Sequence, residues 1–162
     1  MILLVLAVGL AVTLRLVFTF VTIDPLSAAQ QELVDVFGYP PQFSIAYVPA
    51  GTEDDEFLAR SEVWYYPDHG QQVTFLAGTI VSVTEMPEDE LAVTYPDLRP
   101  EQFDVDMAFE EIAALAGPEV ALVEVIAGDD GDLELYAGEG ALFAMERNQL
   151  VFLQTIGLAG GG

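Results

Sequence analysis

The chain has 162 residues, with 27 aspartates and glutamates, four arginines and no lysine, for a formal net charge of −23. A chain this acidic is repelled by phosphate backbones and by anionic lipid headgroups, which excludes nucleic-acid binding and membrane attachment through charge. Cysteine is absent, and this excludes disulfides, thiol nucleophiles and thiolate metal sites.

Residues 1–24 form an apolar segment in which Arg15 is the one charge before Asp24. As a helix, residues 1–23 would span roughly 35 Å, enough for a bilayer core of about 30 Å. We therefore expect a single-pass anchor in the cell membrane, with the acidic remainder outside the cytoplasm. The small residues Ser27-Ala28-Ala29 offer a signal-peptide cleavage site as the alternative, and the protein would then be secreted.

Residues 25–86 are predicted to form a helix followed by antiparallel strands. Ser27 and Gln30 match a capping box, and Gly38 stands where a helix would end. Phe43 to Val48 is predicted as a strand, and Pro49 to Glu56 as a solvated loop. Three further strands joined by short turns are expected at residues 62–66, 71–76 and 79–84.

A second copy of this pattern follows, since Tyr66–Val83 aligns with Tyr136–Leu153 without a gap. Gly78 aligns with Asn148, and both residue types tolerate the left-handed conformation of a tight hairpin turn. Residues 106–156 are therefore expected to form a second unit with Asp106 as its helix cap, after a linker at 87–105 and before a flexible tail at 157–162. The predicted fold class is α+β: two tandem repeats of a capped helix followed by an antiparallel sheet, behind an N-terminal transmembrane helix.

Alternation along the strands predicts which side of each sheet packs on the helices. That side is expected to hold Val63, Tyr65, Val73, Phe75, Val81 and Val83, with Leu133, Leu135, Phe143, Met145, Val151 and Leu153 in the second unit. The opposite side mixes aromatic and polar residues, which is typical of a half-exposed interaction surface; alternatively, the two sheets pack on each other there or the linker covers it. The residues expected to bind a partner are Trp64, Tyr66, Ile80, Tyr136 and Phe152.

These motifs resemble those of the outer-membrane-assembly lipoproteins of the SmpA/OmlA type and of the β-lactamase-inhibitor-protein fold. The resemblance rests on Phe37-Gly38-x-Pro40, then Trp64 and Tyr66, then Val73, Phe75, Gly78 and Ile80; the second unit keeps Gly117, Pro118, Tyr136, Phe143 and Leu150 but has Glu134 in place of Trp64. The resemblance implies a non-catalytic module that binds other proteins. The lipid-bearing cysteine of those lipoproteins is missing, so their mode of anchoring is not implied.

The loop Gly128–Asp132 is the one candidate metal site. Its carboxylates Asp129, Asp130 and Asp132 are the oxygen ligands that calcium prefers, although their spacing does not match an EF-hand and Asp-Gly is also common turn chemistry. No cofactor is otherwise expected. The single histidine, His69, falls in a turn, and no nucleophile, phosphate-loop or zinc-protease motif is present, so we expect no enzymatic activity.

The sequence thus predicts a membrane-anchored, extracytoplasmic module that binds or scaffolds a protein of the cell envelope. The alternative is an acidic domain that responds to calcium or to high salt, because salt screens the repulsion between carboxylates.

Overall fold

The computed structural model describes residues 25–52, 55–86, 93–128 and 131–159. Within these ranges no helix is long and apolar enough to cross a bilayer, and the expected anchor at residues 1–24 lies outside them. The helices are α1 (Ala28–Phe37) and α2 (Phe109–Ala116). The strands are β1 (Gln42–Thr52), β2 (Asp55–Tyr66), β3 (Gln71–Leu76), β4 (Thr79–Glu85), β5 (Val93–Thr94), β6 (Ala121–Ile126), β7 (Leu133–Ala137), β8 (Ala141–Glu146), β9 (Gln149–Thr155) and β10 (Leu158–Ala159).

The predicted fold class is wrong, because the main strands form one antiparallel sheet of eight strands in the order β4-β3-β2-β1-β9-β8-β7-β6. Two short helices accompany this sheet in the described residues, and β5 pairs with β10 apart from it. The two runs of strands join where Ser44, Ile45 and Ala46 of β1 pair with Gln154, Leu153 and Phe152 of β9. In two separate sheets, β1 and β9 would each be an edge strand with unpaired backbone N–H and C=O groups. The pairing of β1 with β9 provides hydrogen-bond partners for these groups.

Helix α1 begins as the sequence predicts. The Ser27 hydroxyl accepts from the Gln30 amide at 3.2 Å, and the Gln30 side chain accepts from the Ser27 amide at 2.9 Å. The Ser27 hydroxyl also donates to the carbonyl of Gly78 at 2.6 Å. Gly78 has a positive φ, and a Cβ there would meet the Ser27 Cβ at 2.7 Å. Glycine at this turn therefore allows the start of α1 to lie directly on the β3–β4 hairpin.

Helix α2 begins later than expected. Ala108 precedes its first residue, and the Glu111 side chain accepts from the Ala108 amide at 3.0 Å. Asp106, the expected cap, lies in the preceding turn instead, where its amide donates to the Asp104 carboxylate at 3.0 Å. One face of α2 is buried on the sheet through Ile112 and Ala116.

The core lies between the sheet and the layer formed by both helices and the segment that connects β5 to α2. Leu98 and Phe103 of that segment are buried, and the Phe103 ring lies 6.1 Å from that of Phe43, centroid to centroid. The segment thus covers the middle of the sheet, between the two helices. The fully buried large side chains are Phe43, Ile45, Trp64, Tyr66, Val73, Phe75, Phe103, Ile112, Phe143, Leu150 and Leu153.

A polar network lies within this core beneath α1. The Arg60 Nε donates to Glu62 Oε1 at 2.9 Å, and the Trp64 Nε1 donates to Glu62 Oε2 at 2.8 Å. The Gln30 side chain of α1 donates to Glu62 at 2.8 Å. The remaining Arg60 donors bind the Phe103 carbonyl, the Pro100 carbonyl at 2.6 Å and the Tyr47 hydroxyl at 3.3 Å.

The charge of Arg60 is retained in this setting. Burial alone would lower the pKa of Arg60, but Glu62 and Tyr47 outweigh burial, so the pKa stands above its ordinary value. Each side-chain nitrogen of Arg60 and each carboxylate oxygen of Glu62 has at least one hydrogen-bond partner, and a buried pair is tolerated when its polar atoms are satisfied in this way.

The predicted sides of the sheet are wrong for β2 and β7. Trp64 pairs with Val73, and Glu62 pairs with Phe75, so the even-numbered residues of β2 face the helices. Val63, Tyr65, Leu133 and Leu135 therefore lie on the opposite side. A one-residue shift reverses every side chain of a strand. The sequence does not reveal this shift, because the inward-facing residues Glu62 and Glu134 are acidic and acidic residues are expected to face solvent.

Bulges and an exposed edge account for the other errors. A register shift between Ala144 and Met145 brings Leu150 opposite Met145, so that Leu150, rather than Val151, is buried. Val81 and Val83 lie on the edge strand β4 and are mostly exposed. The hairpin turns are as expected, since Gly78 and Asn148 both have positive φ. Of the predicted loop at Pro49–Glu56, residues 49–52 continue β1 and residues 55–56 begin β2, and these strands pair with each other.

Replacement of Trp64 tests the assignment of the two sides. Trp64 has 0% exposure, and Trp64→Ala should lower the free energy of unfolding by about 3–5 kcal/mol. Tyr65→Ala, one residue further on the opposite side, should cost about 1 kcal/mol or less. Urea unfolding of both variants measures the difference, and an equal or larger loss from Tyr65→Ala would contradict the observed register.

The buried hydroxyl group of Tyr66 should make the folded protein less stable at alkaline pH. Burial raises the pKa of Tyr66 well above its ordinary value of 10.0, so the unfolded chain releases this proton at a lower pH than the folded protein. The stabilisation is complete below pH 10 and falls as the pH rises further. Tyr66→Phe removes the hydrogen bond to the Gly38 carbonyl and should cost about 1 kcal/mol at neutral pH, but it should make the alkaline loss shallower. An unchanged slope of stability against pH would contradict this role.

Candidate functional site

The side of the sheet opposite the helices, which we name the open face, is a candidate functional surface formed by the described residues. The register places side chains from every strand of the main sheet on it. From β4 to β9 these are Thr79, Ser82, Thr84, Gln72, Thr74, Leu76, Ser61, Val63, Tyr65, Gln42, Ser44, Ala46, Gln149, Phe152 and Gln154. From β8 to β6 they are Leu142, Ala144, Glu146, Leu133, Leu135, Ala137, Ala121, Glu124 and Ile126.

Charge is nearly absent from the open face. Among the acidic residues that the structure describes, only Glu124 and Glu146 belong to it, and both lie towards the β6 end. The described residues of the open face from β4 to β9 carry no charge. By contrast, short α1 holds Glu32 and Asp35, and α2 holds adjacent glutamates in its first turn. The acidity of the described chain is therefore concentrated away from the open face.

The centre of the open face is apolar. One register row crosses four neighbouring strands through Ala46, Phe152, Ala144 and Leu135. Around this row, serine, threonine and glutamine side chains offer hydrogen-bond donors and acceptors without charge. This combination of an apolar centre and neutral polar surroundings is characteristic of the buried centre of a protein–protein interface.

The β1–β2 hairpin extends beyond the open face. β1 pairs with β9 only as far as Ala46, and β2 pairs with β3 only from Ser61. We name the described residues of this hairpin that lie outside both pairings, 47–52 and 55–60, the arm. Three large apolar residues of the arm are exposed: Val48, Phe57 and Leu58.

A groove of about 450 Å³ separates the arm from the β8–β9 turn. One wall consists of Tyr47, Pro49, Phe57 and Leu58, and the other of Glu146, Arg147, Gln149 and Val151. A smaller cavity of about 210 Å³ lies near the start of α1, beside Gln30, Arg60, Glu62 and Glu101. Because the first three of these side chains bind one another, we assign that smaller cavity to the structural network.

The predicted partner-binding residues do not lie together. Trp64 and Tyr66 are buried beneath α1, and the expected partial exposure of Trp64 is therefore wrong. Ile80 is exposed on the edge strand β4, on the helix side. Tyr136 packs against Phe109 of α2, with ring centroids 4.7 Å apart. Of the five, Phe152 alone belongs to the open face, and whether any of them contacts a partner stays a prediction.

Tyr136 also has a local hydrogen bond. Its hydroxyl donates to Glu134 at 2.6 Å, and this bond, with partial burial and the charge of Glu134, raises the pKa of Tyr136. The pair forms part of the wall of a cavity of about 340 Å³ next to the β8–β9 turn.

The predicted metal ligands Asp129 and Asp130 lie outside the described residues, whereas Asp132 is exposed. Among the described residues, no group of three or more acidic or histidine side chains converges on a point. Calcium binding by this loop therefore stays a prediction.

Two aromatic residues of the candidate surface were not anticipated. Tyr65 was expected in the core, and its place on the open face follows from the register of β2. Phe57 was passed over because the preceding acidic run indicates a loop. The alternation of Phe57, Ala59, Ser61 and Val63 could have indicated a strand that begins earlier.

Comparisons of the chain with protein-family models, with curated proteins and with solved structures find no match. The resemblance to the SmpA/OmlA-type lipoproteins therefore stays a prediction.

Proposed function

We propose that this chain is a non-catalytic protein-binding module of the cell envelope that contacts its partner through the open face. The observation that carries this proposal is the scarcity of charge on that face in a protein with a net charge of −23. Interface centres are depleted in charged residues because a buried charge must be desolvated. A face that only met water would gain nothing from excluding the carboxylates that are so common elsewhere in this chain.

The partner that suits this surface is an envelope protein with an uncharged, partly apolar patch. Phe152 and Leu135 offer apolar contacts, and Tyr65 adds an aromatic ring with a hydroxyl group. Aromatic residues of this kind often contribute most of the binding energy of an interface. We further propose that residues 1–23 hold the module at the membrane with the remainder extracytoplasmic, secretion being the alternative.

His69 supports a non-catalytic function. Its ring packs against Phe37 at 4.6 Å and lies 6.3 Å from Tyr66, centroid to centroid. Because these contacts belong to the packing at the end of α1, a structural role accounts for the single histidine of the chain.

Glutamine-to-glutamate replacements test the proposal with little change of shape. Gln42, Gln72 and Gln154 lie on the open face, and their triple glutamate variant places three charges in the proposed interface. We expect binding of the partner, captured by the wild-type protein from detergent-solubilised envelope, to weaken by at least about tenfold, or about 1.4 kcal/mol.

The matched control carries the same three charges elsewhere. Gln31 is exposed on α1, Gln71 faces the helix side, and Gln102 lies in the connecting segment. The triple glutamate variant of these residues should bind like the wild type. In addition, a photo-crosslinking phenylalanine analogue at Tyr65 should label the partner, whereas one at Tyr39 should not. Equal loss of binding in both triple variants, or labelling from Tyr39 alone, would refute the open face as the binding surface.

A further inference from the structure

The two runs of strands, β1–β4 and β6–β9, repeat one pattern of pairing. In the hairpins β3–β4 and β8–β9 the register shifts at the same point, next to Phe75 in the first and next to Met145 in the second. Phe75 pairs with Glu62 of β2, and Met145 pairs with Glu134 of β7. The pairing therefore makes Glu134 the counterpart of Glu62. The gapless sequence alignment placed Glu134 opposite Trp64 instead, because the connection between β7 and β8 is shorter than that between β2 and β3.

The same pairing makes Tyr136 the counterpart of Trp64. Each of these aromatic residues is the next one after its glutamate on the helix side of the strand. The Trp64 indole donates to Oε2 of Glu62 at 2.8 Å, and the Tyr136 hydroxyl donates to Oε2 of Glu134 at 2.6 Å. Both runs thus contain a glutamate whose Oε2 accepts from an aromatic donor on the same strand.

The counterparts of the two other donors to Glu62 are carboxylates. Oε1 of Glu62 accepts from Arg60 at 2.9 Å and from Gln30 at 2.8 Å. Asp132 takes the position of Arg60, two residues before the glutamate of its strand. Glu111 takes the position of Gln30, because each is the third residue of its helix. An ionised carboxylate cannot donate a hydrogen bond, so neither residue replaces the donor of the first run.

A cavity of about 340 Å³ lies beside Glu134. Its wall includes Phe109, Tyr136, Met145 and Asp132. Space is left here because Asp132, Tyr136 and Met145 are each smaller than their counterparts in the first run. The volume falls within the range of about 300–1,000 Å³ that is usual for small-molecule sites.

The charge of the cavity wall favours a cation. Asp132 and Glu134 contribute two negative charges and Arg147 contributes one positive charge, so one negative charge is in excess. A guanidinium group suits this wall best, because it is planar, donates to two carboxylate oxygens at once and stacks on aromatic rings. The first run contains such a contact, in which the guanidinium of Arg60 donates to Glu62.

We propose that this cavity binds a guanidinium group of a ligand, which donates to Oε1 of Glu134 and to the carboxylate of Asp132 and lies against the aromatic wall. The ligand thereby supplies to the second run the contact that Arg60 supplies to the first. The cavity lies on the helix side and shares no residue with the open face. The proposal therefore goes beyond the proposed function, and each can fail without the other.

N-acetyl-arginine methylamide is the probe, because it presents a guanidinium without a free amine or carboxylate. Its neutral isostere, N-acetyl-citrulline methylamide, is the comparison. Binding to the full chain is followed by NMR of the methionine methyl groups, with Met145 in the cavity wall and Met86 after the distant strand β4 as internal reference. We expect the arginine probe to shift Met145 and not Met86, and to bind at least about tenfold more tightly than the citrulline probe.

Free arginine distinguishes two sources of the guanidinium. Tighter binding of free arginine than of the amide would support the proposal with a small molecule as the ligand. Tighter binding of the amide would support it with an arginine side chain of a polypeptide as the ligand. Equal binding of the arginine and citrulline amides, or a shift of Met86 alone, would overturn the proposal.

Two pairs of variants test the assigned carboxylates. Glu134→Gln should weaken binding of the arginine probe at least about tenfold, whereas Glu119→Gln, which removes the same charge at an exposed position outside the cavity, should leave it unchanged. Asp132→Arg places a guanidinium at the position that corresponds to Arg60 and should prevent binding. Glu119→Arg, with the same change of charge, should not.

Circular dichroism establishes that each variant folds. Because Asp132 is exposed, its variant keeps the test decisive even if Glu134→Gln unfolds the protein. Equal effects of the replacements at 134 and 119, or wild-type affinity in Asp132→Arg, would refute the site.

Discussion

The buried ion pair of Arg60 and Glu62 is the contact on which the arrangement of the helix side depends. Through Glu62 it binds Gln30 of α1 and the indole of Trp64. Through Arg60 it binds two carbonyls of the segment that precedes α2. One pair of side chains on a single strand thus fixes both a helix and the connection between the two runs of strands. Its charges are neutralised and hydrogen-bonded inside the protein, so it neither attracts solvent nor repels the rest of the acidic chain.

The same arrangement separates the two sides of the sheet by chemistry. The helix side contains the packed aromatic residues and the buried polar network, whereas the open face is partly apolar and, among the described residues, carries only the charges of Glu124 and Glu146. Most of the acidic residues that the structure describes therefore lie on helices, turns and loops. The edge strands offer less favourable binding sites, because bulges interrupt the register of both β4 and β6 with their neighbours, and bulges of this kind discourage the pairing of exposed edges.

Local structure was largely predictable from the sequence, because its determinants are short-range. The Ser27–Gln30 capping box and the glycine and asparagine turns are each specified within a few residues, and the strands around them follow. The pairing of β1 with β9 joins residues far apart in the chain, and no local pattern specifies it. The sides of β2 were misassigned because a buried Arg60 and Glu62 produce the same alternation as solvent-facing charges. The open face was consequently missed as a surface, although one member, Phe152, was selected.

The arm shows a second limit of structure prediction from the sequence. Acidic residues in a row usually indicate a solvated loop, but β2 already begins at Asp55 and continues through Phe57 and Leu58. The acidic composition therefore indicated a loop near Phe57 and Leu58. The alternation of residues alone would have placed both in a strand.

A double-mutant cycle on Arg60 and Glu62 tests most directly whether this pair acts as one unit in the core. Each of Arg60→Met and Glu62→Met leaves the other charge buried without its partner and should lower the free energy of unfolding by about 3–5 kcal/mol. The double variant removes both charges and should lose less than the sum of the two by more than about 1 kcal/mol. Urea unfolding of the four proteins gives the coupling energy. Losses that add to within about 0.5 kcal/mol would contradict the central place given to this ion pair.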